Sequence, residues 1–390
     1  MMNNKNWPKI CFGELADFKN GINFSSNEKG YSLKVLGVGD FKQRTTLEQV
    51  GKISSIQTKK EVNTSYYLKD GDLVFVRSNG NKSLVGRCML IHTKGEKISY
   101  SGFTIRARLI SDKIKPEFVS LLMQGGLLKN ILKRDSRGTN ISNLNQEILS
   151  KLLVPLPDIH SQNEILVIFS SWDEVIEKIE DIIISKQKQL EWLKTTLINK
   201  CEYSKVQLSN CTYEVSIRNS DNHIARVLSV TNRNGFVLPE DRFKRRIAST
   251  NISNYKIVKS GQYAYNPSRI NVGSIARLDD WDEGALSPMY IVFELDNTKI
   301  NSDFFLHWLF SSEAKQRIRN SAQGSVRETV SFTDLGAISI ALPPLEEQES
   351  ISNLLNIAQQ EINLLKQLVE KYRIQKRGLM QKLLTGKWKA

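Results

Sequence analysis

A helical seam occurs twice in this chain and constrains its fold more than any other feature. From Ile165 to Leu197, steps of four and three residues land on Ile165, Phe169, Trp172, Ile176, Ile179, Ile183, Lys186, Leu190, Leu193 and Leu197. Nine of these ten residues are apolar, and the spacing never slips. An a/d repeat sustained this long buries one stripe of a helix against another helix. Adding 186 to each number gives a second seam: Ile351, Leu355, Ala358, Ile362, Leu365, Val369, Tyr372, Lys376, Leu379 and Leu383. Two such seams in one chain are natural partners. The sequence therefore predicts a tandem duplication with two coiled-coil arms; if these pair antiparallel, a globular lobe sits at each end of a rigid spacer. At about 1.5 Å per residue, a 33-residue seam makes a rod roughly 50 Å long.

Each seam carries one lysine, Lys186 in the first and Lys376 in the second, at positions that are not equivalent in the two copies. A polar residue at an a or d position can fix register at some cost in stability. The alternative is that each lysine sits where the seam opens to solvent and snorkels along it.

The segments before the arms also repeat, with an offset that drifts from 196 through 190 to 186. Trp7-Pro8-Lys9-Ile10 matches Tyr203-Ser204-Lys205-Val206, and Lys34-Val35-Leu36-Gly37-Val38 matches Arg226-Val227-Leu228-Ser229-Val230. Gly71-Asp72-Leu73-Val74-Phe75 matches Gly261-Gln262-Tyr263-Ala264-Tyr265. A drifting offset means a shared scaffold with loops of different length. Within each lobe, short β-type runs (Asp72–Arg77 and Phe103–Ile110; Gln262–Asn266 and Met289–Leu295) precede one helix. The helical spacing is carried by Phe118, Leu121, Leu122, Leu128 and Leu132, then by Phe304, Phe305, Trp308, Leu309 and Ile318. Each helix ends in cations, which complement its dipole. A Gly-centred loop follows each, Arg137-Gly138-Thr139-Asn140 and Gln323-Gly324-Ser325-Val326-Arg327. A proline-rich exit then opens each arm: Leu153-Val154-Pro155-Leu156-Pro157-Asp158-Ile159-His160-Ser161-Gln162 and Ile340-Ala341-Leu342-Pro343-Pro344-Leu345-Glu346-Glu347-Gln348. The organisation expected is a lobe at 1–157, an arm at 158–202, a second lobe at 203–344 and a second arm at 345–390.

Charge is unevenly spread over the 390 residues, whose net charge is +14. Residues 1–157 carry 25 Lys and Arg against 13 Asp and Glu, whereas residues 158–202 carry 5 against 9. Excess positive charge on a globular lobe suits a surface that meets a polyanion. The four cysteines (Cys11, Cys88, Cys201, Cys211) show no C-x-x-C spacing, so neither a zinc site nor a disulfide framework is expected. No apolar run reaches 18 residues and no signal-peptide pattern opens the chain, so a cytoplasmic protein with no membrane partner is expected.

A lobe, a Pro-Leu-Pro or Pro-Pro-Leu exit with a downstream glutamine, and a long heptad helix, all repeated, resemble the specificity subunit of type I restriction–modification systems. The second exit, Leu342-Pro343-Pro344-Leu345-Glu346-Glu347-Gln348-Glu349-Ser350-Ile351, carries the resemblance best, and the first departs from it at Asp158-Ile159-His160-Ser161. The resemblance spans essentially the whole chain. It implies an α+β fold with two duplicated mixed α/β target-recognition domains, separated by two long helices that form an antiparallel coiled coil. It implies that each domain reads one half of a bipartite duplex DNA target. It further implies assembly with two modification (methyltransferase) subunits and two restriction (endonuclease/translocase) subunits. S-adenosylmethionine, ATP and Mg would then be bound by those partners and not by this chain.

The residues agree that chemistry lies elsewhere. An adenine methyltransferase needs an Asn/Asp-Pro-Pro-Tyr/Phe loop, and the nearest sequence is Asn266-Pro267-Ser268-Arg269. No G-x-G-x-x-G follows a strand and no phosphate loop of the G-x-x-x-x-G-K-[ST] type occurs. His92, His160, His223 and His307 are dispersed and lack a nucleophile motif. No catalytic or metal-ligating residue is expected.

Reading bases needs Arg, Lys, Asn or Gln on loops, with cations nearby for phosphates. The first candidates are Arg77, Asn79 and Lys82, continuing to Arg87, and the counterpart loop with Asn266, Arg269 and Asn271. The Gly-centred loops supply Arg137, Asn140 and Arg327. The run Arg242-Phe243-Lys244-Arg245-Arg246 interleaves an aromatic with cations, and Arg106 shares one strand face with Arg108. Two rival readings remain open on the residues alone. One is a coiled-coil scaffold whose lobes bind proteins; the other is a self-sufficient methyltransferase or nuclease.

Overall fold

The computed structural model describes residues 7–24, 30–42, 44–128, 143–198, 203–232, 234–238, 251–323 and 329–384. The helices that organise it are α1 (Pro116–Gln124), α2 (Gln146–Ser150), α3 (Ile159–Ile198), α4 (Ser302–Leu309), α5 (Ser312–Gln323), α6 (Phe332–Gly336) and α7 (Leu345–Leu384). Their starts follow the local chemistry. Pro116 occupies the first turn of α1, where its missing N–H costs nothing. Asn301 Oδ1 accepts from Phe304 N at 3.0 Å to cap α4. Ser331 and Asp334 close a capping box on α6.

The chain forms two compact units, one of Met1–Lys178 with Val369–Ala390 and one of Ile179–Leu368. Each unit takes one half of each long helix. In the first unit a five-stranded sheet runs in the order Ala16–Asn20, Thr104–Leu109, Leu73–Val76, Cys88–Ile91, Thr46–Leu47. A three-stranded sheet of Ser55–Thr58, Tyr31–Leu36 and Ile98–Tyr100 stands beside it. The second unit has two four-stranded sheets, one ordered Thr212–Val215, Ile291–Leu295, Tyr263–Tyr265, Ile275–Arg277. The β-type runs expected from the sequence are strands, shortened by one or two residues at their ends.

The duplication is preserved at the level of register. In the first unit Phe75 pairs with Ile105, and in the second Tyr265 pairs with Ile291, the residues at the expected offsets of 190 and 186. A two-stranded entry ribbon also repeats, with Lys9–Cys11 antiparallel to Leu153–Pro155 and Lys205–Gln207 antiparallel to Ser339–Ala341. This ribbon brings the start of each lobe to the exit that opens its arm.

The arms pack as the heptads require. Ile165, Phe169, Ile183, Leu190, Ile351, Leu355, Ile362, Val369 and Leu383 are buried. Trp172, Ile176, Ile179, Lys186, Leu193, Leu197, Ala358, Leu365, Tyr372, Lys376 and Leu379 are half-buried. In the first unit Trp172 meets Tyr372 edge-on at 5.6 Å between ring centroids. There Ile165 and Phe169 join the lobe core together with Met380, Leu383 and Leu384, so the two helix halves run antiparallel. That core continues into Phe118, Leu121 and Leu122 of α1. At Gly125, which caps the end of α1, a Cβ would lie 2.6 Å from Leu384 Cδ1, so α7 packs directly against this glycine.

In both units the run expected as one helix is interrupted: the first ends at Gln124 and a turn at Gly125–Gly126 separates Leu128 from it, while Leu132 lies outside the described residues. The run from Phe304 to Ile318 is two helices, not one, because the chain breaks at Phe310–Ser311 between α4 and α5. Ser311 Oγ accepts from Ala314 N at 3.2 Å and restarts the helix, the preference that makes serine a better cap than an interior residue.

Candidate nucleic-acid interface

The two loops ranked first occupy the same place in the two units. In the first, Val76 pairs with Thr104 at the end of two central strands. One residue further, Phe103 O accepts from Arg77 N at 2.8 Å and from Ser78 N at 3.4 Å. Arg77 O in turn accepts from Leu144 N at 2.8 Å, and Ser78 bridges Asn143. In the second unit Pro267 O accepts from Val330 N at 3.1 Å, the equivalent bond at offsets of 190 and 186. The chain that follows each Gly-centred loop therefore docks on the loop that follows the central strand.

Side-chain caps hold these loops open. Asn79 Oδ1 accepts from Asn81 N at 2.7 Å, and Asn81 Oδ1 accepts from Ser83 N at 3.0 Å. Asn266 Oδ1 accepts from Ser268 N at 3.1 Å. Asparagine side chains that bond two residues ahead build turns without a ladder partner. In the first unit the loop borders a cavity of about 530 Å³ lined by Phe24, Val38, Ser78, Asn79, Phe103 and Asn143, among others. Phe103 is 63% exposed on its rim, and Met289, at the equivalent position of the second unit, is 58% exposed. Large apolar side chains held out to solvent beside amide and guanidinium donors can meet base edges, where thymine offers a methyl group.

The candidate residues divide under this geometry. Arg77, Asn79 and Asn271 are half-buried on the loops, and Lys82 and Arg269 are exposed. Three others are bonded within the fold. Arg87 Nη1 donates to Phe41 O and Lys42 O, both at 2.9 Å, and so pins a neighbouring turn. Arg106 is 7% exposed, and its Nη1 donates to Ser65 O at 3.3 Å. Asn266 is buried and serves its own turn. Arg108, on the same face as Arg106, forms a bidentate pair with Asp72, with Nε to Oδ1 at 2.7 Å and Nη2 to Oδ2 at 2.6 Å. The Asp72 carboxylate holds the Arg108 guanidinium above its ordinary pKa. Arg137, Asn140, Arg242, Lys244, Arg245, Arg246 and Arg327 lie outside the described residues.

Phe103 and Met289 are the residues that sequence reasoning passed over as ordinary strand starts. The signal was their alternation with Ile105 and Ile291, which puts them on a core face but beyond the last rung of the sheet. Among the described residues no group of three or more His, Cys, Asp or Glu side chains is placed to hold a metal. No described helix is long and apolar enough to cross a membrane.

Comparison with known proteins agrees over nearly the whole chain. The family model for the type I restriction modification DNA specificity domain matches residues 4–186 and 244–371. A protein assigned as the specificity subunit of type I restriction enzyme MjaX from Methanocaldococcus jannaschii is 24% identical, covering 96% of this chain and 91% of its own. A solved chain from a type I R-M system superimposes with a TM-score of 0.63 at 16% identity, covering 98% of both chains. The HsdS subunit from Thermoanaerobacter tengcongensis gives a TM-score of 0.53 at 15% identity, covering 98% of this chain and 97% of its own. A duplicated lobe-and-arm framework that matches this model in both copies places the chain in the family of type I restriction modification DNA specificity domains.

Proposed function

We propose that this chain is the DNA sequence-specificity subunit of a type I restriction–modification complex and that each lobe reads one half of a bipartite target. The observation that carries this reading is the repeated loop anchor, Leu144 N to Arg77 O and Val330 N to Pro267 O. The same scaffold presents two loops of different sequence at the same edge of each unit. Two readers with one framework and different surfaces are what a target with two unlike halves requires.

On this reading Arg77, Asn79, Lys82, Arg269 and Asn271 face DNA together with Phe103 and Met289, and the net positive charge of the first lobe supplies phosphate affinity. The lobes are 1–157 and 203–344, and the arms 158–202 and 345–390 set the unread spacer and dock the methyltransferase subunits. The chain is not catalytic. Two modification and two restriction subunits supply the chemistry and bind S-adenosylmethionine, ATP and Mg, and the assembly works in the cytoplasm.

Exchanging residues 1–157 for the equivalent lobe of another such subunit tests the reading. With the modification subunit present, one half of the methylated sequence changes and the other stays. A change in both halves contradicts two independent readers.

A further inference from the structure

Each arm begins with a buried glutamine that makes the same three hydrogen bonds. Gln162 Oε1 accepts from Lys115 N at 2.9 Å, and its Nε2 donates to Lys113 O at 2.8 Å and to Pro157 O at 2.9 Å. Gln348 Oε1 accepts from Asn301 N at 2.8 Å, and its Nε2 donates to Lys299 O at 3.1 Å and to Pro343 O at 2.8 Å. Gln162 is 0% exposed and Gln348 1% exposed. The partners correspond one for one at an offset of 186, although the surrounding side chains differ. Lys115 and Asn301 are the N-cap residues of α1 and α4. One amide therefore ties three points together: the arm's first turn, the proline exit, and the start of the helix at the centre of the lobe's packing.

From this repeated geometry we infer that Gln162 and Gln348 are positioning residues that fix the angle of each lobe on its own arm, and through it the spacer length the protein accepts. The inference rests on the function proposed above. The side chain suits the task because an amide offers two donors and an acceptor on one rigid plane. Glutamate would present carboxylate oxygens to two carbonyls, and methionine would leave three buried backbone groups unpaired. All three bonds of each glutamine go to the exit and to the start of the lobe helix, none to the loops assigned to DNA, so the bases read do not depend on them. The gap between the half-sites does.

The test maps methylated adenines in cells carrying the full chain with its modification subunit, using Gln162→Met, the shorter Gln162→Asn, and Gln348→Met. Both half-sites keep their bases. Methylation at spacers one base pair longer or shorter rises about tenfold, the scale expected when buried hydrogen-bonding groups lose their partner. Met89→Ala, which opens a cavity in the first lobe away from the arm, serves as a control of matched thermal stability. A single unchanged spacer in the glutamine variants overturns the inference, and so does an equal spread in the Met89→Ala control. Loss of the bipartite motif in the unaltered protein would instead remove the function proposed above.

Discussion

Lys186 Nζ lies 2.9 Å from Glu361 Oε2, so the cation at a seam position of α3 is met by a carboxylate of the facing helix. Lys376 meets Asp173 in the same way within the other unit. These lysines are paired across the helices with exposed carboxylates, as expected where a seam opens to solvent. Lys186 is 35% and Glu361 48% exposed at the side chain, a setting in which an ion pair contributes about 0–1 kcal/mol. An apolar side chain at the same seam position buries more surface against the partner. Glu361→Ala is expected to change stability by less than about 1 kcal/mol, and Lys186→Leu to raise it by about 1–2 kcal/mol. Urea unfolding of the full chain measures both. A large loss on Lys186→Leu would mean that the lysine specifies the pairing.

The Asp72–Arg108 pair is a different case, because Asp72 is 1% exposed and also accepts from Lys69 N at 2.7 Å. Removing the arginine strands a buried carboxylate. Arg108→Ala should therefore destabilise the first unit by about 3 kcal/mol, seen as an earlier unfolding transition. Arg108→Lys recovers only part of this, since an ammonium cannot form the two-point contact.

On the proposed reading, cations that contact DNA and cations bonded within the fold separate by salt. Lys82→Ala and Arg269→Ala should each lower the slope of log affinity against log salt by about 1, as each loses one phosphate contact. Arg87→Ala and Arg106→Ala should leave that slope unchanged and lower thermal stability instead. Binding titrations over a salt series distinguish the two classes. Equal slopes for all four variants would remove Lys82 and Arg269 from the interface.

Much of this architecture was legible because it is periodic or repeated. The 4-3 seam specifies which face of α3 and α7 is buried without reference to anything else in the chain, and the offset of 186 specifies its second copy. The candidate interface was only partly legible. Alternation places Arg106 and Arg108 on one face of a strand, but which face looks inward is decided by distant residues such as Asp72 and Ser65. Asn266 has the chemistry of a base reader and the neighbours of a turn, and the turn uses it. Gln162 and Gln348 mark the arm starts in the sequence, yet their bonds reach 47 and 49 residues back and are invisible without the fold.

His307 introduces a pH dependence in the second unit. Its Nε2 lies 2.8 Å from Asn356 Oδ1, and burial pushes its pKa below the usual 6.5. The Asn356 bond and Asp303 oppose that shift, while Lys194 and Arg277 add to it. The unfolded chain therefore binds a proton more readily than the folded one. Stability from this site is present above pH 6.5 and is lost as the pH falls toward the depressed folded value. His307→Gln, followed by thermal melts across this range, should flatten the acid side of the profile. An unchanged slope would show that other groups govern it.

The central claim is that one chain carries two readers of one bipartite target, and a genome-wide map of methylated adenines tests it most directly. In cells expressing this chain with its modification subunit, a single motif of two half-sites and a fixed gap is expected, and it should vanish when this chain is removed. A motif that persists without the chain, or no motif with both subunits folded and present, would contradict the claim.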